Sequence, residues 1–398
     1  ILSLIVLNVK LISSILDIMN KIYFLSRSYL PSITGGTLIR QAQVEYFKRN
    51  GFDVVVVVPG YGADEITYEG NIIRLPFTKH LRILSKMERI GIFEDFLDVW
   101  VKKAFNYLKD SITKKDLIFA TSGGGMGIVK LGSLLKNHSG CKFVINFHDP
   151  IDYTRVNGMK LDKKFHVSRE KSEKKYLSNV DLIITSSEVN KKSLQNKFPL
   201  LKNKIYNNYF GYIKDISINK NMSSKLHIVY GGNFSPHQAP DILAKVVSRI
   251  DNVDLSFIGN YKVNKQILKY TDTFNFLSTM DYDSYVQYVL KNCNVGFMSL
   301  QGDYLGACVP SKLFEYINFE IPILAAMPFG DAYEIVNDNK YGIACKYDDL
   351  ISLGKAIEKM KNEDLRNTFI ENIQRDKEKW SMERQIKETI NLIKQVWN

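Results

Sequence analysis

From Lys21 onward the chain alternates short apolar runs with helix-length amphipathic segments, and this rhythm limits the fold more than any other feature. Runs such as Val54-Val55-Val56-Val57-Val58 and Phe143-Val144-Ile145 are apolar at consecutive positions, as expected of parallel strands covered on both faces. The pattern predicts strands near 21–26, 53–58, 116–120, 142–147 and 181–185, with helices near 37–50, 91–109, 126–137, 165–178 and 187–195. Asn207 to Asn221 is polar and aromatic and breaks the rhythm. It restarts at Leu226-His227-Ile228-Val229-Tyr230-Gly231-Gly232 and continues through strands near 254–258, 273–277, 294–299, 321–325 and 342–345. The predicted fold class is α/β, with two Rossmann-like halves joined near 206–225. A length of 398 residues agrees with two separate cores. The stretch Trp380 to Trp397 reads as a helix with Met382, Ile386, Ile390, Ile393 and Val396 on one face, which requires a surface to cover.

The apolar content of 45% is that of a folded globular protein. A formal charge of +12 favours anionic partners, or reflects a lysine-rich coding bias, since the charge is dispersed rather than massed in one tail. Cys141, Cys293, Cys308 and Cys345 lack metal-ligand spacing, so reduced thiols are expected rather than disulfides or zinc ligands. Lys10 and Asp17 interrupt the apolar start before it reaches spanning length, and no basic region precedes it. Residues 1–18 are read as an upstream extension of the frame, with a membrane-facing anchor as the other reading.

The most chemically suggestive segment is Pro310-Ser311-Lys312-Leu313-Phe314-Glu315-Tyr316, followed by Ile321-Pro322-Ile323-Leu324-Ala325. Pro310 suits a helix start, where the amides of Ser311, Lys312 and Leu313 would face a diphosphate. Lys312 adds a full charge. Glu315, three residues on, shares its helix face and can accept hydrogen bonds from vicinal ribose hydroxyls. The competing reading is an ordinary amphipathic helix with a solvated ion pair.

Pro310 to Ala325 resembles the nucleotide-binding helix and following strand of bacterial glycosyltransferases of family four, in a Pro-Ser-Lys-x-x-Glu-Tyr version. Lys21-Ile22-Tyr23-Phe24-Leu25-Ser26, Tyr29-Leu30-Pro31-Ser32-Ile33-Thr34-Gly35-Gly36 and Gly51-Phe52-Asp53-Val54-Val55 are similar to the opening unit of those enzymes. The resemblance runs from about Met19 to the end. It implies the GT-B fold, two Rossmann-like domains facing across a cleft: an acceptor-side domain at 19–205, a nucleotide-sugar domain at 206–379, and a helix at 380–398 crossing back to the first domain.

Gly35 and Gly36 lie between a strand and a helix, where the missing Cβ atoms either allow close approach of an anion or only make a turn. The resemblance places them at the donor phosphates. His148 follows an apolar run, at the carboxyl end of a parallel strand, where open α/β sheets hold ligands; it is otherwise a hydrogen-bonding strand-end residue. The resemblance implies a catalytic role for His148, by contact with the transferred sugar or through its backbone supporting positive charge at the anomeric carbon, with Asp149 and Asp152 as further candidates for polar contacts to the acceptor. Thr121-Ser122-Gly123-Gly124-Gly125-Met126-Gly127 matches neither the Walker pattern nor the dinucleotide fingerprint, so Gly123, Gly124 and Gly125 are acceptor-side candidates.

In the second half, Gly232, Asn233, Gln238 and Gly259 are donor-binding candidates beside Ser311, Lys312, Leu313 and Glu315. Asn233 and Gln238 stand where many family members carry arginine and lysine. Ala307 replaces the first of the family's paired glutamates, with Asp303 and the backbone around Gly306 as possible substitutes. Tyr282 and Tyr304 are candidates for stacking. Lys79, Arg82, Lys86 and Arg89 interleave with Leu81, Leu84, Met87 and Ile90, an arrangement that suits an anionic membrane surface or a helix packed on its own domain.

The resemblance implies a retaining glycosyltransferase using a nucleotide sugar and a glycan or polyprenyl-linked acceptor for surface polysaccharide, in the cytoplasm or at the inner membrane face; no cofactor is expected, and no metal is needed if protein cations and helix ends neutralise the leaving group. A sugar-nucleotide epimerase of the same fold and a non-catalytic binding subunit are the alternatives.

Overall fold

The computed structural model describes residues 21–31, 35–150, 163–217 and 224–397. Residues 1–18 and Asp152, each assigned an expectation above, lie outside the described residues. The chain clusters into two compact units. The first runs to Ser186 and adds Lys191–Asn208 and Ile386–Asn398; the second comprises Ser187–Asn190 and Tyr209–Gln385.

The first unit contains β1 (Lys21–Ser26), α1 (Gly35–Arg49), β2 (Asp53–Tyr61), β3 (Thr67–Glu69), β4 (Ile72–Phe77), α2 (Leu81–Arg89), α3 (Asp98–Leu108), β5 (Leu117–Ser122), α4 (Gly127–Ser139), β6 (Lys142–Phe147), α5 (Lys163–Leu177), β7 (Leu182–Thr185), α6 (Glu188–Lys197) and β8 (Ile205–Asn207). Among the described residues its sheet has eight strands in the order β3-β4-β2-β1-β5-β6-β7-β8. All pairings are parallel except β3 with β4. The strand order reverses at β1 and β5, where Ile22 pairs with Leu117 and Ser26 with Thr121. Such a reversal opens a crevice at the carboxyl ends of the strands. Beneath it, Trp100, Ile118, Leu131, Phe143 and Ile145 form part of a closed apolar core.

Besides β3 and β4, which lie outside the expected strands, two details depart from the sequence reading. The helix expected over 91–109 begins at Asp98. Gly91 is left-handed (φ +74°), and the Asp98 carboxylate accepts from the amides of Glu94 and Asp95 at 2.9 and 3.3 Å, so a capped turn precedes the helix. The segment read as a joint from 206 instead starts within β8, which pairs Ile205 with Ile183. At three residues, with only Ile205 buried, it carries almost no periodicity.

The second unit contains β9 (Leu226–Gly231), α7 (Asp241–Val247), β10 (Val253–Ile258), β11 (Asn275–Leu277), α8 (Tyr282–Asn292), β12 (Val295–Ser299), α9 (Ser311–Asn318), β13 (Ile323–Met327), α10 (Asp331–Asp338), β14 (Gly342–Lys346), α11 (Leu350–Met360) and α12 (Glu363–Asp376). Its sheet, six parallel strands among the described residues, runs β11-β10-β9-β12-β13-β14. The order reverses between β9 and β12, above a core that includes Tyr230, Phe234, Phe257 and Phe297. The start of α6 groups with this unit. Asp331 at the start of α10 accepts from Ser187 Oγ (2.6 Å), the amides of Glu188 (2.6 Å) and Val189 (3.0 Å), and Tyr209 Oη (2.6 Å).

The last helix, α13 (Met382–Trp397), buries Ile386, Ile390 and Ile393. Trp397 stacks on Phe52 at 5.8 Å between ring centres and donates from Nε1 to Lys115 O at 2.9 Å, both within the first unit. All four cysteines are buried thiols, and burial pushes Cys141 and Cys345 up to about 11. No helix among the described residues is long and apolar enough to cross a membrane.

Candidate functional site

In the first unit, the ends of β1, β5 and β6 bring Ser28, Thr121, Gly123, His148 and Asp149 together, with Arg40 supplied by α1. His148 donates its backbone N–H to Ser122 O at 3.0 Å, and its carbonyl accepts from Ser186 Oγ at 2.8 Å. Its ring lies between Thr121 Oγ1, 3.2 Å from Nδ1, and an Arg40 terminal nitrogen, 2.9 Å from Nε2. The other Arg40 terminal nitrogen donates to Ser28 Oγ at 2.8 Å. The His148 side chain is 13% exposed, and Asp149 Oδ2 is 3.9 Å from its Nε2.

Burial holds the imidazole well below its usual pKa, and the charges of Arg40 and Arg27 push the same way. Burial lowers the Arg40 guanidinium to about 10, with Arg27 adding to the shift and Asp149 opposing it. Burial raises the Asp149 carboxyl, against the pull of Arg27 and Arg40. Arg27 and Arg40 lie outside the sequence-based set, and Thr121 enters it only as the first residue of the glycine-rich segment. The available signal was the i,i+4 relation between Gly36 and Arg40, which puts both on one helix face.

The glycine-rich loop is locked by its neighbours. Arg169 donates to Gly124 O at 2.6 Å, the Met126 amide donates to Asp95 Oδ2 at 2.8 Å, and Ser122 Oγ donates to Gly125 O at 2.6 Å. A Cβ on Gly123 would stand 2.7 Å from His148 Nε2 and 3.1 Å from Asp149 Oδ2, so this glycine lets the two side chains in. Gly124 is buried and Gly125 lies beside Asp95. Gly35 and Gly36 begin α1, and a Cβ on Gly36 would touch the Arg40 guanidinium at 3.5 Å.

In the second unit, Gly232, Asn233, Gln238, Gly259, Lys312 and Glu315 gather at the carboxyl ends of β9 and β10 and the start of α9. Gly232 has φ +125°, and a Cβ there would lie 2.9 Å from Lys312 Nζ. Gly259, at φ +137°, admits the carbonyl of Gly232, which a Cβ would meet at 2.4 Å. Tyr230 Oη donates to Asn233 O and approaches Gln238 Oε1 at 3.2 Å; Ser299 Oγ donates to Gln238 O. Lys312 Nζ sits 5.1 Å from the Tyr230 ring centre.

Pro310 is the N-cap of α9. The Leu313 amide donates to Pro310 O at 3.1 Å and Leu313 is fully buried, so only the Ser311 and Lys312 amides of the expected three are left for a ligand. Lys312 and Glu315 form neither an ion pair with each other nor a side-chain hydrogen bond among the described residues. Burial lowers the Lys312 pKa and raises that of Glu315, and the opposite charge of each offsets part of the other's shift. Tyr282 is 39% exposed; burial, then the Glu315 charge, pushes its hydroxyl up to about 12.

Tyr304 Oη is 3.0 Å from Nδ1 of His237, a residue absent from the sequence-based set. Gly306 is pressed against Phe329 O, which a Cβ would meet at 2.2 Å, so its place is explained by packing. A groove of about 610 Å³ lined by residues including Val246, Arg249, Leu350 and Lys355 contains none of these residues.

Residues 213–376, all within the second unit, match the family model "Glycosyl transferases group 1". Sucrose-phosphate synthase from Thermosynechococcus elongatus has a similar structure, with a TM-score of 0.70 at 14% identity, covering 95% of this chain and 99% of that one. HepE from Anabaena, in complex with UDP-glucose, gives a TM-score of 0.65 at 15% identity over 93% of this chain and 99% of that one. The lipopolysaccharide outer core galactosyltransferase WaaB gives 0.66 at 13% identity over 94% and 99%. A comparison with curated protein sequences finds no match. The two parallel-sheet Rossmann-like domains are those of GT-B structures, as expected from the sequence.

Proposed function

We propose that this protein is a glycosyltransferase that moves a sugar from a nucleotide-diphosphate donor to a glycan or lipid-linked acceptor, with retention of anomeric configuration and without a metal. The observation that carries this reading is the unpaired Lys312–Glu315 couple on α9, beside Gly232 and inside the region of the family match. Two opposite charges that are partly buried yet do not bond each other are costly unless a ligand completes them. A diphosphate beside Lys312 and the first amides of α9, with ribose hydroxyls on Glu315, supplies both missing partners.

Catalysis is then mainly electrostatic. The leaving diphosphate gains charge as the glycosidic bond breaks, and Lys312 stabilises that charge most in the transition state. Arg40, His148 and Asp149 belong to the acceptor side. By its name WaaB is a lipopolysaccharide outer core galactosyltransferase, which favours a surface-glycan acceptor.

The test is a thermal-shift screen of nucleotide sugars, followed by transfer assays with the stabilising donor. Stabilisation by one nucleotide sugar and appearance of a new glycosidic product support the reading. Epimerised donor, or binding without turnover, overturns it in favour of the two alternatives.

A further inference from the structure

We propose that Arg40 is a positioning residue that holds the His148 imidazole as the neutral Nδ1–H tautomer, so that this ring neither takes up nor gives away a proton during sugar transfer. The placement of His148 beside the reacting sugar rests on the function proposed above; the tautomer rests on geometry alone. A guanidinium has only donors. At 2.9 Å from Nε2, Arg40 therefore takes the ring's lone pair at that atom, and the ring proton must sit on Nδ1, 3.2 Å from Thr121 Oγ1. A second proton would have to enter at Nε2, against the guanidinium.

The groups facing the ring act together. Arg40 reaches it from α1, Arg27 from the segment after β1, Thr121 from β5, and Asp149 from its own loop. Asp149 Oδ2, at 3.9 Å from Nε2, would favour a charged ring, but it is more distant than the Arg40 nitrogen. Arg40 is itself fixed by the Ser28 hydroxyl at 2.8 Å and is 4% exposed, so the fork cannot swing away without leaving a buried charge unpaired. The His148 main chain is tied as well, by Ser122 O and Ser186 Oγ. The ring is thus a spacer that aligns the Arg40 fork and the Asp149 carboxylate, and it is excluded from general acid or base work.

The experiment uses the full chain labelled with ¹⁵N-histidine, the His148 signals being assigned by their loss in His148→Gln. The expected result is a protonated Nδ1 and an unprotonated Nε2, unchanged across about pH 5.5–8. Turnover of the parent should have no acid limb from this group. In Arg40→Met, with burial and Arg27 still acting, Nε2–H should become populated, the titration of His148 should move up from its parent position without reaching the ordinary value, and turnover should gain an acid limb that the parent lacks.

Titration of His148 in the parent within that range, or a proton found on Nε2, overturns the proposal whatever the enzyme does. An unshifted pH profile in a folded Arg40→Met variant also overturns it. Should Arg40→Met not fold, the parent spectra decide alone. The expected tautomer in a protein that transfers no sugar leaves the Arg40 assignment standing and removes the functional reading instead.

Discussion

Lys312 Nζ lies 5.1 Å above the centre of the Tyr230 ring, with the Cα of Gly232 so close that a Cβ there would come within 2.9 Å of the same nitrogen. The ammonium is held by a ring face rather than by a carboxylate, an attraction of about 1 kcal/mol. Such a hold is weak enough to be exchanged for phosphate oxygens and directional enough to keep the charge at the end of β9.

Replacing Lys312 with Met should therefore reduce kcat by about 10²- to 10³-fold, as when one preorganised donor to a developing charge is removed. Donor affinity should change less, because the helix amides remain. Steady-state kinetics with varied donor separates the two. A rise in KM with kcat unchanged would mean that Lys312 binds ground state and transition state alike.

Glu315→Gln tests the other half of the couple. Charged hydrogen bonds contribute about 1.5–3 kcal/mol each, so the donor Kd should rise about 10- to 100-fold by calorimetry. Turnover at saturating donor should be nearly retained. Unchanged affinity in a folded variant would take Glu315 out of the site.

Gly232→Ala should weaken both fold and donor binding. Its φ of +125° is strained for any side chain, and the new methyl would displace Lys312. The strain contributes about 1–3 kcal/mol of destabilisation, visible as a lower Tm. Because the displaced partner is the far end of a flexible side chain, loss of donor affinity should accompany it. A variant with normal donor affinity would show that Lys312 can act from another rotamer.

The parallel strands were legible in the sequence because burial on both faces leaves continuous apolar runs, as in β2 from Val54 to Val58. The short β3–β4 ribbon was not, since β3 is exposed throughout and owes its existence to pairing with β4 rather than to its own pattern. The Lys312–Glu315 couple was visible because three residues on a helix make neighbours. Arg40 and His148 are 108 positions apart, and His237 and Tyr304 are 67 apart, so only the folded sheets bring them within bonding distance. The glycine-rich loop is an acceptor-side candidate by composition, yet its carbonyls and amides are taken by Arg169, Ser122 and Asp95, side chains that no local pattern ties to it.

Glu88 offers a test of stability against pH that is independent of any substrate. Burial, reinforced by Asp95 and Asp98 and opposed by Arg169 and the Phe96 amide, pushes its carboxyl up to about 8. A folded-state value above the unfolded one means that the native protein binds the extra proton between the two. The resulting stabilisation is present at low pH, declines as the pH rises past about 4.5, and is lost once it passes about 8. Glu88→Gln, which keeps the neutral shape, should match the parent near pH 5 and exceed its Tm by several degrees near pH 9, for a difference of a few kcal/mol. Thermal melts of both proteins across that range decide the matter. Parallel Tm curves would show that Glu88 is ionised in the native state throughout, with Arg169 rather than a proton balancing its charge.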